Sequence, residues 1–503
     1  VYSWDGERSL ENQSDNFVPL DPLGIRGALE GNPEYMLRLA DRVQKHFYGD
    51  GALTPAQTAA RWARYASDLD RAIIAESARW GDHRRSTPYT RDAEWLTEQN
   101  RLYTSYFPVR TNNVLNNLTL PSVGAPVFLV GGVAQPEGLI PLGSNLSVTG
   151  SSTIYFTTDG SDPRLEGGTI NLTASSVSSG GVIPLSVGTH LKARVRNGTN
   201  WSALSEGTFF VGPIATSANI VISELMYHPV GQDEGAEYLE LMNVDPVNSI
   251  DLSMTTFAGI DYTFPLGESL AAGERIVIVK DPVAFAAAYS TAGIRFAPGA
   301  YSASLNNDGE EIALINALGS DAQRFTYNDV SPWPVSADGL GYSLTLIAPE
   351  ASPDHSLPEN WRSSALPGGS PGTSDSEVFA GNPAADLDHD GLSAFLEYAL
   401  GSLAGEAGFS PESFVVVGSG FFDDGLGVLK EFPSYSYRRN LRADDVLVIV
   451  EVSANLAAWN DAGTVFVSSV ANGDGTETVT VRGASPTSDE VRQFVRLRVS
   501  SRP

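Results

Sequence analysis

The 503-residue chain contains no cysteine, which excludes disulfide staples and thiolate metal sites alike. No apolar run is long enough to span a bilayer. Histidine is sparse and scattered at His46, His83, His190, His228, His355 and His389, with no HExxH pair to suggest a catalytic zinc. Walker and GxGxxG motifs are missing. Positive charge is short, and unevenly so. Residues 1–121 carry 14 Lys+Arg against 16 Asp+Glu, which leaves 18 against 44 for the remainder of a chain of net charge −28. Such a surface repels nucleic acid and anionic lipid and attracts divalent cations or basic partners. The opening "VYSWDGE" has neither an initiator Met nor the basic patch and apolar run of a secretion signal, so Val1 reads as a cut inside a longer protein.

What is present changes character near Pro121. Before it the grammar is helical. "NPEYMLRLADRVQKHFYG" offers Asn32 as N-cap, Pro33 in the first turn and Gly49 as a stop. "TPAQTAARWARYASDLDRAIIAESARWG" repeats the pattern with Thr54, Pro55 and Gly81, and Trp62, Tyr65, Leu69, Ile73 and Trp80 keep a helical period expected of a core face. "TRDAEWLTEQNRLYTSYF" and "NNVLNNL" predict a third helix and a short fourth. The aromatic run in the third is expected to be a buried helix face rather than a sugar platform.

After Pro121, short runs of β-formers alternate with turns, as in "STIYFTTDGSDPR" and "HLKARVRNGTNWSALSEGTFFV". A second β unit starts at "NIVISELMYHP" and fades into "LPGGSPGTSDSE", a linker by composition. A third runs from "ESFVVVG" to "RQFVRLRVS". The fold class expected is multidomain: an N-terminal all-α bundle (1–121), then three all-β immunoglobulin-like sandwiches (122–213, 214–374 and 406–503), with a calcium loop and short helix at 375–405. Asn117, Asn145, Asn171, Asn197 and Asn200 head N-x-S/T sequons, which carry meaning only in a eukaryotic secretory route.

One motif carries its own chemistry. In "DLDHDGLSAFLEYALG", Asp386, Asp388, Asp390, Gly391 and Glu397 fall on the spacing of a twelve-residue calcium loop. A hard cation wants six or seven oxygens, and alternate residues of a tight loop turn their carboxylates inward. Leu392 would offer its backbone carbonyl, Ala394 leaves room for a water, and Glu397 closes the site from the first turn of the following helix. His389 occupies an outward position. The competing account is an acidic turn with Asp390 as N-cap. A sensor role is disfavoured, because sensors pair two loops over a Met-rich groove and the chain has one loop and four Met.

Three stretches resemble known families. Residues from "NPEYMLRLADRVQKHF" to "PVRTNNVL" resemble the C-terminal lobe of CotH-family (spore coat protein H-like) kinases. "YSWDGE" is similar to that family's Trp-Asp-x-Asp segment, which would make Asp5 a metal ligand beside ATP, with Glu7 where a second Asp is usual. A lobe without its nucleotide-binding partner cannot transfer phosphate. Residues 125–212, through "IYFTTDGSDPR" and "WSALSEGTFFV", resemble the C-terminal module of chitobiase-type proteins, which accompanies carbohydrate-active enzymes. Residues 218–350, through "IVISELMYHP", "EYLELMNV", "AAGERIVIVKD" and "LNNDGEEIALIN", resemble a lamin-tail domain.

The expectation is a non-catalytic, secreted or cell-surface bacterial scaffold or adhesion protein, stiffened by calcium and binding a protein or surface glycan. Self-assembly through exposed sheet edges stays open. The alternatives are the C-terminal part of a CotH-like kinase and a carbohydrate-binding accessory protein.

Overall fold

The structure, a computed structural model, describes residues 10–16, 24–231, 234–403, 405, 415–423, 425, 427–489 and 493–502. Val1, Asp5 and Glu7 lie outside the described residues. The chain divides into two compact units, Val1–Val211 and Gly212–Pro503. β-sheets dominate, preceded by a small helical region, and the sheets stack as immunoglobulin-like sandwiches.

In the first unit the helices are α1 (Ile25–Leu29), α2 (Pro33–Phe47), α3 (Pro55–Trp80), α4 (Leu96–Arg101) and α5 (Phe107–Leu115). Asn32 caps α2 by accepting from the amides of Glu34 and Tyr35, as its position predicts. Thr54 does not cap α3; its hydroxyl donates to the Gly51 carbonyl at 2.9 Å instead. Gly81 is required by crowding, since a Cβ there would sit 2.5 Å from the carbonyl oxygens of Ser77 and Tyr89. The predicted third helix is broken into π-helical turns at Arg91–Trp95 and Leu102–Tyr106 on either side of α4.

The expected core face of α3 is not a core face. No residue of this 26-residue helix is buried. Trp62 packs on the small cluster of Leu102, Tyr106 and Phe107 and donates its indole N–H to Gln99 Oε1 at 2.6 Å. Tyr65, Leu69 and Trp80 stand about half exposed. A helix of that length runs about 39 Å, and so small a cluster covers only its Trp62 end. Periodicity reports an amphipathic helix; it does not supply the opposing element.

The sandwich of this unit pairs β1 (Val127–Val130) with β2 (Leu146–Thr149) in one sheet, and β3 (Thr153–Thr157), β4 (Thr189–Asn197) and β5 (Ser205–Val211) in the other. Phe128, Leu146, Val148, Ile154, Leu191, Val195 and Phe209 fill the space between them. Arg194 of β4 is buried and pairs at 2.7 Å with Asp41 of α2 and with Asp162, pinning helix to sandwich.

The second unit opens with β6 (Ile220–Met226), β7 (Tyr238–Asn243), β8 (Thr256–Ala258), β9 (Arg275–Val279), helix α6 (Pro282–Ala288), β10 (Glu311–Ile315), β11 (Asp321–Thr326), β12 (Leu344–Leu346) and β13 (Trp361–Ser363). One sheet has the order β9-β7-β6-β12-β13, and the facing sheet holds β8, β10 and β11. Every residue of β6 and β7 is buried. Tyr227, Leu239, Phe257, Phe264, Ile276 and Trp361 lie in its core. After α7 (Ala394–Leu400) come β14 (Val415–Asp423), β15 (Leu429–Asn440), β16 (Val446–Ser453), β17 (Thr464–Ala471), β18 (Thr476–Gly483) and β19 (Phe494–Ser501). Among the described residues they form a four-stranded sheet, β14-β15-β18-β17, and a two-stranded one, β16-β19. Tyr435, Tyr437, Val450, Val452, Val479 and Val481 form the smaller core between them.

Candidate metal centre

The acidic loop is built by two left-handed residues in near succession: His389 at φ +61° and Gly391 at φ +93°. Nothing lies within 4 Å of a Cβ at Gly391, so the backbone angle, rather than crowding, asks for glycine there. His389 is exposed, as its outward position predicts. Between these bends the alternation of residues turns three carboxylates to one side. Asp386, Asp388 and Asp390 each bring an oxygen within 4.8 Å of the others. A calcium ion with bonds of ~2.4 Å can reach oxygens up to about twice that distance apart.

One oxygen of each Asp is held by the loop's own backbone. The amide of Gly391 donates to Asp386 Oδ2 at 3.2 Å, that of Asp390 to Asp388 Oδ1 at 3.2 Å, and that of Leu392 to Asp390 Oδ1 at 2.9 Å. The remaining oxygens, Asp386 Oδ1, Asp388 Oδ2 and Asp390 Oδ2, are buried without a hydrogen-bond partner. Both carboxylate oxygens of Glu397 are in the same condition, and its side chain is 1 % exposed. Glu397 stands outside the 4.8 Å triangle of aspartates. Burial, and then the charges of Asp388, Asp390 and Asp386, push its carboxyl above the ordinary value.

The donor set fits a hard, oxygen-seeking cation: five partnerless carboxylate oxygens, with no nitrogen or sulfur among them. Among the described residues it is the one group of three or more acids or histidines so arranged. Ser393, not Asp390, caps α7, accepting from the amide of Leu396 at 3.4 Å. The acidic-turn account therefore loses its capping role. Leu392 turns its side chain into a cluster with Leu400, Leu396 and Leu497, so only its backbone can face the loop.

The other end of α7 reaches a second charged site. The Tyr398 hydroxyl lies 2.7 Å from the Glu377 carbonyl oxygen and 2.9 Å from Asp445 Oδ1. Next to Asp445, Asp444 accepts from Arg362 Nε and Nη2 at 2.7 and 2.9 Å, and Asp375 accepts from Nη2 at 2.5 Å. Arg362, from β13, is 1 % exposed. Burial pushes the Asp375 carboxyl up, but the Arg362 charge outweighs it and holds the group below its ordinary range.

The composition-based linker is docked rather than loose. Glu224 of β6 and Glu240 of β7 are fully buried; the amide of Ser370 donates to Glu224 at 2.8 Å and that of Gly372 to Glu240 at 2.6 Å. A Cβ at Gly369 would fall 2.1 Å from the Tyr238 hydroxyl. Glycine here marks a close backbone approach, which composition alone reads as flexibility. Arg275 pairs with Glu240, whereas Glu224 has only neutral donors. Burial, then the Glu240 charge, drive the Glu224 carboxyl well above its ordinary value.

A separate cleft of about 320 Å³ in the first unit is lined by Glu76, Trp80, His83, Arg84 and Tyr89. Sequence periodicity assigned Trp80 to a core and so hid it. The aromatic run of the third helix does supply buried residues, Leu102, Tyr106 and Phe107.

Residues 213–329 match the Lamin Tail Domain family model. The lamin tail domain is therefore the part of the chain with a shown relationship, and its sheet continues past the match, because β12 pairs with β6 and β13 with β12. No curated protein and no solved structure matches the chain. An immunoglobulin-like lamin tail domain is consistent with a non-catalytic scaffold. No described helix is long and apolar enough to cross a membrane.

Proposed function

We propose that the chain is a non-catalytic, secreted or cell-surface scaffold whose lamin tail domain and C-terminal sandwich are stiffened against each other by calcium. The ion would be held by Asp386, Asp388, Asp390 and Glu397, with the Leu392 carbonyl as a further oxygen. The observation that carries this is the set of five buried, partnerless carboxylate oxygens, a costly arrangement that a divalent cation relieves. Closing the loop fixes α7, whose Tyr398 contacts Asp445 beside the Arg362 clamp, so the ion acts on the joint between the two β domains. Calcium titration by calorimetry, paired with thermal melts in calcium and in chelator, tests it. Saturable binding and a higher melting temperature in calcium are expected. Equal melts and no heat of binding would remove calcium from the account.

The cleft at Trp80 favours a second function, retention on a glycan, since Trp80 and Tyr89 are half exposed beside Arg84 and Glu76, each with an arginine over one face of its ring. Affinity electrophoresis in a panel of polysaccharides tests it. Retardation lost in Trp80→Ala is expected, and no retardation on any member would sink it.

A further inference from the structure

The two edges of the C-terminal four-stranded sheet are treated differently. At one edge, β17 carries a register shift between Phe466 and Ser468, and the amide of Ala471 donates to Ser336 Oγ of the lamin tail domain at 2.8 Å. Bulges and cover of this kind keep sheet edges from pairing with other chains. At the other edge, β14 pairs with β15 in unbroken register over nine residues, and no described strand pairs with its outer side. From Val415 to Phe422 it has no proline and no charge. Val416, Val417 and Phe421 are 65, 62 and 71 % exposed. Among the described residues, the stretch Val415–Phe422 has none of the bulge, proline or charge that guards such an edge.

The sequence of that strand is also symmetric in size. Around Ser419, "VVGSGFF" reads large, large, Gly, Ser, Gly, large, large in either direction. An antiparallel pairing of β14 with β14 of a second copy, centred on Ser419, sets Gly418 opposite Gly420, Val417 opposite Phe421 and Val416 opposite Phe422. Small residues then meet small ones, and each β-branched residue meets an aromatic, a favourable cross-strand pair. The stretch Val415–Phe422 is uncharged, so two copies of a strongly acidic chain can approach along it; carboxylates flank it at Asp423, which falls opposite Val415 of the other copy, and at Glu431 of β15, which accepts from the Ser419 hydroxyl at 2.6 Å.

We infer that β14 is a homodimer interface, in which two copies join edge to edge about a two-fold axis at Ser419 into one continuous sheet. The interface is isologous and uses no element of the calcium loop. It accounts for the exposure of Val417 and Phe421 by a second copy, and it sets the register.

The absence of native cysteine provides the test. Residues directly opposite in an antiparallel pair have Cα atoms about 4.5–5.5 Å apart, within disulfide range. Ser419→Cys, oxidised in the full chain, should give a covalent dimer, while Val465→Cys on β17 should stay monomeric. Sedimentation of the unmodified chain should show a dimer that added salt strengthens by screening the acidic surfaces, and that Val417→Lys converts to monomer. Val417 is exposed enough for Lys to leave the fold intact, which an unchanged melt of the variant checks. A wild-type chain that sediments as a monomer at high concentration and high salt would overturn the inference. So would a Ser419→Cys chain that fails to cross-link, or a Val465→Cys chain that links as readily.

Discussion

Two acidic sites at the same joint solve the same electrostatic problem differently. At the Arg362 clamp, two carboxylates, Asp375 and Asp444, meet one buried guanidinium from the chain itself. At the loop, three aspartates converge near Glu397 with five oxygens unpartnered and, among the described residues, no cation paired with them. A buried carboxylate left bare is strongly unfavourable, so each site must import positive charge. The clamp carries its counter-charge in the sequence and should hold under any ionic condition. On the proposed reading the loop takes its counter-charge from an ion of the medium, which would make the rigidity of the joint conditional. Glu224 shows a third solution: with Glu240 already claiming Arg275, its carboxyl is pushed up to about 7, so that it takes up a proton as pH falls through neutrality.

The largest expected effect comes from breaking the clamp. Arg362→Ala strands two buried carboxylates and should cost about 3–5 kcal/mol of stability in the second unit, read from urea unfolding. The loss should be the same in calcium and in chelator. A loss below about 1 kcal/mol would mean that solvent reaches the site and the charge matching is dispensable.

Next comes the loop. Calcium at a hundred times its dissociation constant should stabilise the chain by about 2.7 kcal/mol. Asp388→Asn should abolish that gain and, in chelator, leave the chain at least as stable as wild type, because it removes a repelling charge. A variant less stable than wild type in chelator would show that the folded loop satisfies the Asp388 charge without calcium.

The proton solution predicts a pH slope. A carboxyl whose folded value is raised contributes stability that is fully present below its unfolded value near 4.5 and is lost as pH rises through the raised value. The second unit should therefore weaken from mild acid toward and past neutrality, and Glu224→Gln should flatten that slope. An unchanged slope would place Glu224 outside the titration. His355 works in the opposite sense. Burial pushes its ring down to about 4, so its contribution is present above its ordinary value of 6.5 and disappears as pH falls through 4.

The smallest effect separates a cap from a ligand. Ser393→Ala should cost about 1 kcal/mol, equally in calcium and in chelator, since Ser393 caps α7 and belongs to neither charged site. A larger cost in calcium alone would make it part of the ion's cage.

What could be read from sequence was what is local. The Asp-x-Asp-x-Asp-Gly spacing puts three carboxylates together because alternation and one glycine do so within six residues. The hydrophobic strands of the lamin tail domain were visible for the same reason. The Arg362 clamp was invisible, because Asp444 lies 82 residues away and nothing near either residue marks the pair. The docking of the linker was not visible, because Glu224 and Glu240 lie 146 and 132 residues away from Ser370 and Gly372. Exposure of α3 was missed because a helical stripe states which side is apolar and says nothing of what lies against it.

The distance between Arg362 and Asp444 also has a consequence for biosynthesis. A ribosome adding about 5–20 residues per second needs roughly 4–16 s to make the intervening chain. During that interval the Arg362 guanidinium has Asp375 as a partner and lacks Asp444, so the full clamp forms only once the following strands have emerged. A chain that ends before Asp444 would keep the Arg362–Asp375 pair but leave the Arg362 Nε without its acceptor, and is expected to be less stable than the finished one.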